Sequence, residues 1–253
     1  MQLTSKFKQR LPWILLIIVT VTFTVLLINR YLLFEKTINF FNKVNVVWMG
    51  NTTQKIVALT FDDGPDPLYT PEILRILKKN HIPATFFLVG SNARKYPELV
   101  KKEIQDGHII GNHTFSHPHL NSLPARKIDS QIVRTDKVLQ TITGKNPLFF
   151  RTPYEELSEN ILTVSHSEHK QIILSTITIE HTLSKTPKAK ADRVIRLVFP
   201  GAILLAHDGR LNRHTTVKAL PYLIRGLQTK GYRFVSLPEL FHKKSSMNFL
   251  KSP

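Results

Sequence analysis

The chain has 253 residues, of which 42% are hydrophobic and 21% are charged, and 35 Lys and Arg against 18 Asp and Glu give a net charge of +17. This composition is globular and excludes a fully disordered or collagen-like chain. The absence of cysteine excludes disulfides, thiolate zinc sites and a cysteine nucleophile, so that a metal site must use histidines and carboxylates. The positive charge favours anionic surroundings such as a membrane face, a cell wall or nucleic acid.

An uncharged apolar run lies near the N-terminus. Residues 11–29 are nearly long enough to cross the hydrocarbon core of a bilayer, and three basic residues precede them, which predicts a cytoplasmic N-terminus. A signal-peptidase site needs small residues, and the first alanine of the chain is Ala58. We therefore predict a single-pass membrane protein in which the chain after about residue 35 lies outside the cytoplasm. Its parts are a cytoplasmic basic tail over 1–10, an uncleaved transmembrane helix over 11–34 and a stalk over 35–54.

Short apolar runs alternate with amphipathic stretches in the rest of the chain. Seven runs are predicted strands, at 55–60, 84–89, 108–112, 148–151, 171–177, 202–206 and 233–237. Six helices are predicted between them, near 70–80, 95–106, 124–143, 158–166, 189–198 and 215–230. This alternation predicts an α/β domain over 55–242, followed by a basic tail over 243–253. Its parallel sheet is either a barrel or an open doubly wound sheet, with the chemistry at the C-terminal ends of the strands.

Titratable residues follow four of the predicted strands, and two of them are histidines four residues apart. On one helical turn, His113 and His117 would share a face and could bind one ion. A carboxylate would complete three protein ligands and leave an open position, which is the arrangement of catalytic zinc sites. The spacing alone is a weak signal, and two ordinary loop histidines are the alternative.

The other strand ends carry candidate acid–base residues. Asp62 and Asp63 are adjacent and cannot both point the same way from extended backbone, so one can bind a metal ion while the other acts on water. A simple Asp-Gly-Pro turn is the alternative for this pair. His207 follows an apolar strand as a general acid or as a buried core histidine. Arg151 is either a surface residue or the partner that orients a carboxylate.

Four motifs together resemble those of a known family, the polysaccharide deacetylases of the NodB-homology type, carbohydrate esterase family 4. They are TFDDGP at 60–65, HTFSHP at 113–118, RTPY at 151–154 and LLAHDG at 204–209. The resemblance covers roughly residues 55–242 and implies a distorted, TIM-like (β/α)7 barrel. It also implies metal-dependent removal of acetyl groups from N-acetylglucosamine-type residues of peptidoglycan or a chitin-like polymer.

The resemblance further implies roles for single residues. The expected ligands of Zn²⁺, or of another divalent cation such as Co²⁺, are Asp63, His113 and His117. The expected catalytic residues are Asp62 as general base, His207 as general acid, Arg151 as the residue that positions Asp62, and Tyr154, whose backbone N–H would stabilise the oxyanion.

Two motifs depart from the family pattern. Glu155 stands where the family has glycine after Tyr154. The aspartate of the fourth motif is missing from residues 175–182, and we expect Glu180 or His181 to replace it as the partner of Arg151. The altered fourth motif leaves room for a catalytically weakened carbohydrate-binding or regulatory homologue. Because the same site serves esters, an O-acetyl esterase acting on an acetylated polysaccharide such as xylan is a second alternative to an N-deacetylase.

The expected partners follow from the same two predictions. An acetylated polysaccharide is the expected substrate, and the membrane is the expected partner of the N-terminal helix. A nucleic-acid partner is not expected, because the predicted anchor places the domain outside the cytoplasm. The basic surface instead matches anionic polymers of the cell wall.

Overall fold

The computed structural model describes residues 19–32, 46–180 and 185–242, and the chain divides into two units, Met1–Lys43 and Val44–Pro253. In the first unit, residues 19–32 are helical with exposed side chains. None of the helices in the described ranges combines the length and the hydropathy that a membrane span requires. The remainder of the predicted 11–34 span and both predicted basic tails lie outside the described residues.

The described residues of the second unit form one sheet in which every strand pair is parallel. Its strands are β1 (Val46–Val47), β2 (Ile56–Asp62), β3 (Ala84–Leu88), β4 (Ile109–Asn112), β5 (Phe149–Phe150), β6 (Gln171–Ile173), β7 (Ile177–Thr178), β8 (Ile203–His207) and β9 (Arg233–Val235). The predicted parallel α/β architecture is therefore confirmed.

Helices connect most of these strands. They are α1 (Thr70–Lys79), α2 (Gly90–Lys95), α3 (Pro97–Gln105), α4 (Ala125–Thr143), α5 (Glu159–Ser167), α6 (Pro187–Leu197), α7 (His214–Thr229) and α8 (Leu237–His242). Prolines occupy the first turns of α1, α3 and α6, where the missing N–H costs no hydrogen bond. Gly144 ends α4 in the left-handed conformation, with a φ of 75°.

The sheet curls back towards its own edge. Its strand order is β1-β6-β5-β4-β3-β2-β8-β7, with β9 also paired to the start of β2. Only residues 174–176 connect β6 to β7, which lie towards opposite ends of this order, and so short a link spans at most about 14 Å. Thr176 bonds to both sides of the gap, because its N–H donates to Ile203 O and its Oγ1 to Trp48 O, each at 2.8 Å. This curl is consistent with the predicted distorted barrel.

The centre of the sheet is buried on both faces. All seven residues of β2 are buried. Val57, Leu59 and Phe61 belong to one hydrophobic cluster, whereas Ile56 and Ala58 belong to another. This alternation is that of a strand covered on both sides.

Several predicted boundaries differ from the structure. The predicted strand 171–177 is two strands, β6 and β7, and β1 lies within the predicted stalk. The predicted helix 95–106 is the pair α2 and α3, because Tyr96 precedes Pro97 and takes a non-helical conformation with φ −129° and ψ 58°. The predicted strand 233–237 ends at Val235, and α8 begins at Leu237.

Candidate active site

Three predicted metal ligands converge beyond the ends of β2 and β4. Asp63 Oδ1 lies 3.1 Å from His117 Nε2 and 3.7 Å from His113 Nε2, and the three ligand atoms all lie within 4.8 Å of one another. Asp63 Oδ1 is buried and has no hydrogen-bond partner within the described ranges. Lone pairs from one carboxylate and two imidazoles around a buried point are a suitable donor set for a divalent cation such as Zn²⁺.

The backbone brings these ligands together by a different route from the predicted one. His113 and His117 lie in the irregular segment after β4, so the predicted helical turn is wrong. Positive φ angles at Thr114 (65°) and His117 (55°) turn the chain back, and Asp63 has a φ of 79° where it leaves β2. Non-glycine residues in this conformation are uncommon and cost free energy, which often marks a functional site.

Neighbouring groups orient the ligand side chains. His113 Nδ1 lies 2.7 Å from the backbone carbonyl oxygen of Arg151, so the tautomer with a proton on Nδ1 donates there and leaves the Nε2 lone pair facing Asp63. Arg213 Nη2 donates to Asp63 Oδ2 at 3.1 Å, and its Nε donates to Gly209 O at 2.8 Å. Sequence reasoning missed Arg213, because nothing in its local pattern distinguishes it from other arginines.

Arg151 holds Asp62, as predicted. The guanidinium is fully buried, and its Nη1 donates to Asp62 Oδ1 and to Thr60 Oγ1, both at 2.8 Å. Its Nε donates to Ile173 O at 2.9 Å, and its central carbon lies 4.3 Å from the ring centroid of Phe87. These contacts leave Asp62 Oδ2 free to face the metal-ligand cluster, 3.8 Å from His113 Nε2.

Removing this arginine should strongly destabilise the fold. In Arg151→Met, Asp62 remains buried without its cation, so we expect the free energy of unfolding to fall by about 3–5 kcal/mol. Denaturant unfolding of the full chain measures this loss. Arg75→Met removes an exposed pair with Glu72 at 3.9 Å and should cost at most about 0.5 kcal/mol. Equal losses in the two variants would contradict the assignment.

Glu180 pairs with His207 and not with Arg151, which corrects the predicted pairing. Its Oε2 lies 3.0 Å from His207 Nδ1, and its Oε1 accepts hydrogen bonds from His207 N–H at 3.0 Å and Thr216 Oγ1 at 2.8 Å. The physical reason is the strand order: Glu180 follows β7, which pairs with β8, and β8 ends at His207. The other predicted partner of Arg151, His181, lies outside the described residues.

The environment of this pair favours a protonated imidazole. Burial acts to lower the pKa of His207, but the hydrogen bond and the charge of Glu180 outweigh it and raise that pKa. Burial acts to raise the pKa of Glu180, but its bonds to His207 and Thr216 outweigh burial and lower the pKa. A histidine with a raised pKa is suited to donate a proton near neutral pH.

Glu155 closes one wall of the site. Its Oε1 accepts a hydrogen bond from the backbone N–H of Ser175, so it links the loop after β5 to the β6–β7 connection. Tyr154 and Glu155 both have positive φ angles, 58° and 53°. The bond from Ser175 offsets part of the strain that a non-glycine residue carries in this conformation. The adjacent Tyr154 N–H has no acceptor among the residues described and can serve an incoming anion.

These groups share one cavity of about 700 Å³. Its lining includes the adjacent carboxylates of Asp62 and Asp63, the histidines His113 and His117, and the Glu180–His207 pair. The catalytic residues predicted from sequence that line it are Asp62, Tyr154 and His207, together with the ligands Asp63, His113 and His117. The fully buried Arg151 lies behind them.

Comparisons with known proteins agree with this geometry. The family model for polysaccharide deacetylase matches residues 49–171. A peptidoglycan-N-acetylglucosamine deacetylase of Bacillus cereus is 39% identical over 202 residues, which is 79% of this chain and 73% of that protein. The peptidoglycan-N-acetylmuramic acid deacetylase PdaA of Bacillus subtilis is 34% identical over 206 residues, 80% of this chain and 77% of that protein.

A solved structure of a peptidoglycan deacetylase also resembles this chain. The Bc1960 peptidoglycan N-acetylglucosamine deacetylase, crystallised with 4-naphthalen-1-yl-N-oxidanyl-benzamide, superposes with a TM-score of 0.77 at 36% identity and covers 82% of this chain and 97% of that chain. The chain belongs to the polysaccharide deacetylase family, the NodB-homology hydrolases of carbohydrate esterase family 4. The resemblance predicted from its motifs is confirmed.

Proposed function

We propose that this chain removes acetyl groups from N-acetylglucosamine-type residues of peptidoglycan, with a divalent cation held by Asp63, His113 and His117. The observation that carries the proposal is the buried Oδ1 of Asp63, which takes part in no hydrogen bond among the described residues and faces two imidazole nitrogens. Its neighbour Asp62 and the histidine His207 line the same cavity. Relatives named peptidoglycan deacetylases support the substrate class.

Each side chain has a defined task in amide hydrolysis. A divalent cation in this site supplies polarisation of the acetyl carbonyl and a lower pKa for water. Asp62, held in place by Arg151, accepts the proton of the attacking water. The N–H of Tyr154 donates to the oxygen on which negative charge develops, a contribution of about 3–4 kcal/mol for one such donor. His207 gives its proton to the departing amine, which is a poor leaving group as an anion.

Metal removal tests this proposal. Chelation should lower acetate release from N-acetylglucosamine oligomers by on the order of 100-fold or more, and added Zn²⁺ or Co²⁺ should restore it. The full chain is used, and zinc content is measured on the same samples. Undiminished turnover by metal-free protein would exclude the proposed mechanism. A faster reaction on acetylated xylan would instead favour the O-acetyl esterase, and no acetate release from any substrate would favour the binding homologue.

We also propose that residues 11–34 anchor the chain in the cytoplasmic membrane, with the catalytic domain outside. The uncharged run and the basic residues before it support this orientation. Within the segment, residues 19–32 are helical and expose apolar side chains such as Phe23 and Leu26. Membrane fractionation of the full chain and of a variant that lacks residues 1–34 tests the anchor. We expect the full chain in the membrane fraction and the shortened variant outside it.

A further inference from the structure

A cleft on the outer helical layer carries concentrated positive charge. It has a volume of about 770 Å³ and is lined by α1, by α7 and by the first turn of α6. We call it the basic cleft. Its cationic lining residues, all exposed, are Arg75, Lys79, Lys188, Lys218 and Arg225. None of these residues belongs to the catalytic cavity.

Only part of this charge is neutralised by the protein. Glu72 lies 3.9 Å from Arg75, and Asp192 lies 2.6 Å from Lys188. In the part of the chain that the structure describes, no carboxylate lies within ion-pair distance of the remaining cations, which are Lys79, Lys218 and Arg225. Five cations and two acidic partners leave an excess of three positive charges around one concave surface.

The arrangement of these cations has a cost that a ligand would relieve. Arg75 and Lys79 are four residues apart and therefore neighbours on one face of α1. Lys218 and Arg225 are seven residues apart and share one face of α7. Like charges four residues apart, as in the Arg75–Lys79 pair, repel one another and destabilise the helix that carries them. Bound anionic groups would remove this repulsion.

Along each of the two helices, the cations are separated by about one to two helical turns. The helical rise places Arg75 and Lys79 about 6 Å apart along α1, and Lys218 and Arg225 about 10 Å apart along α7. Between the charges on α7 lie Pro221 and Tyr222, and the Tyr222 side chain is 52% exposed. This pattern suits a chain in which separated negative charges alternate with short carbon spacers, better than it suits one compact anion.

We propose that the basic cleft binds a linear polyol-phosphate polymer, in which hydroxylated carbon units alternate with phosphodiesters. The cations would pair with the phosphates, and the Pro221–Tyr222 surface would contact the carbon units. A flat anionic bilayer matches this surface less well, because the cleft is concave. Single-stranded nucleic acid is bound through successive stacking rings, whereas Tyr222 is the one aromatic residue in the described lining.

A double variant tests the proposal. Lys218→Gln with Arg225→Gln removes two unpaired charges from α7, and Lys101→Gln with Lys137→Gln removes two exposed charges from α3 and α4 as a matched control. Binding of the full chain in a non-ionic detergent to poly(glycerol phosphate) is measured at several salt concentrations. We expect the cleft variant to bind on the order of tenfold more weakly, with a shallower salt dependence, and the control to bind like the wild type.

A deacetylation assay and binding to two other anionic ligands complete the test. Deacetylation of a neutral N-acetylglucosamine oligomer should be unchanged in both variants, which shows that they are folded and separates this proposal from the proposed catalytic function. The proposal is overturned if the wild type fails to bind the polymer or if both double variants lose affinity equally. It is also overturned if phosphatidylglycerol vesicles or a DNA oligonucleotide bind more tightly through Lys218 and Arg225.

Discussion

The Asp63→Ala variant is expected to lose both its metal ion and its activity. Asp63 supplies the only carboxylate of the three converging ligands, and its removal leaves two histidines, too few to retain Zn²⁺ against a competing chelator. We expect kcat/KM for acetate release to fall by on the order of 10³-fold. Zinc content after dialysis and acetate release are measured on the same preparation.

Two further variants serve as comparisons for Asp63→Ala, one with a smaller expected effect and one with none. Arg213→Met removes the cation on Asp63 Oδ2 but no ligand, so it should weaken metal affinity by about 10–100-fold. Asp106→Ala removes a carboxylate that pairs with the surface lysines Lys78 and Lys102, and should leave zinc binding unchanged. An Asp63→Ala protein that keeps its zinc and its turnover would show that the ion binds elsewhere.

The Glu180→Gln variant should lower turnover while retaining the metal. Glutamine keeps an oxygen that can accept from His207 but removes the negative charge that raises the pKa of that histidine. His207 must be protonated to act as a general acid, so activity falls as the pH rises through its pKa. Because Glu180→Gln lowers the pKa of His207, the basic limb of the pH–rate profile should move to lower pH. We expect kcat at neutral pH to fall by about 10–100-fold.

A substrate with a better leaving group is a control for the role of Glu180 in proton donation by His207. An aryl acetate releases a phenolate that needs little protonation, so Glu180→Gln should slow its hydrolysis much less than the hydrolysis of an N-acetyl substrate. Glu155→Gln, which keeps the acceptor for Ser175 N–H, should leave the pH profile in place. If the basic limb of Glu180→Gln coincides with that of the wild type, Glu180 does not act through His207.

Local patterns were sufficient to predict the architecture and most of the candidate site. Alternation of apolar runs with amphipathic stretches depends on neighbouring residues, and it predicted the parallel sheet that the structure contains. Because the strands of such a sheet end at one edge, the polar residues after them were expected to meet there. The structure brings Asp62, Asp63, His113 and His207 to one cavity. The pairing of Arg151 with Asp62, which the family resemblance implied, is present.

Contacts between distant segments were beyond the reach of local patterns. The bond from Arg213 to Asp63 joins residues 150 positions apart, and the bond from Glu180 to His207 depends on β7 lying beside β8. The predicted pair of Glu180 with Arg151 would instead require the end of β7 to lie beside the end of β5. The break between β6 and β7 likewise follows from bonds that Ser175 and Thr176 make to other segments.

The family, the parallel α/β class and the residue types of the site could therefore be predicted before any coordinates, because they depend on short-range periodicity and on motifs at strand ends. The partner of each supporting side chain depends instead on how the chain folds in three dimensions. The curl of the sheet sets the distances between strand ends, and buried charges pair with the partner that this geometry places within hydrogen-bond reach.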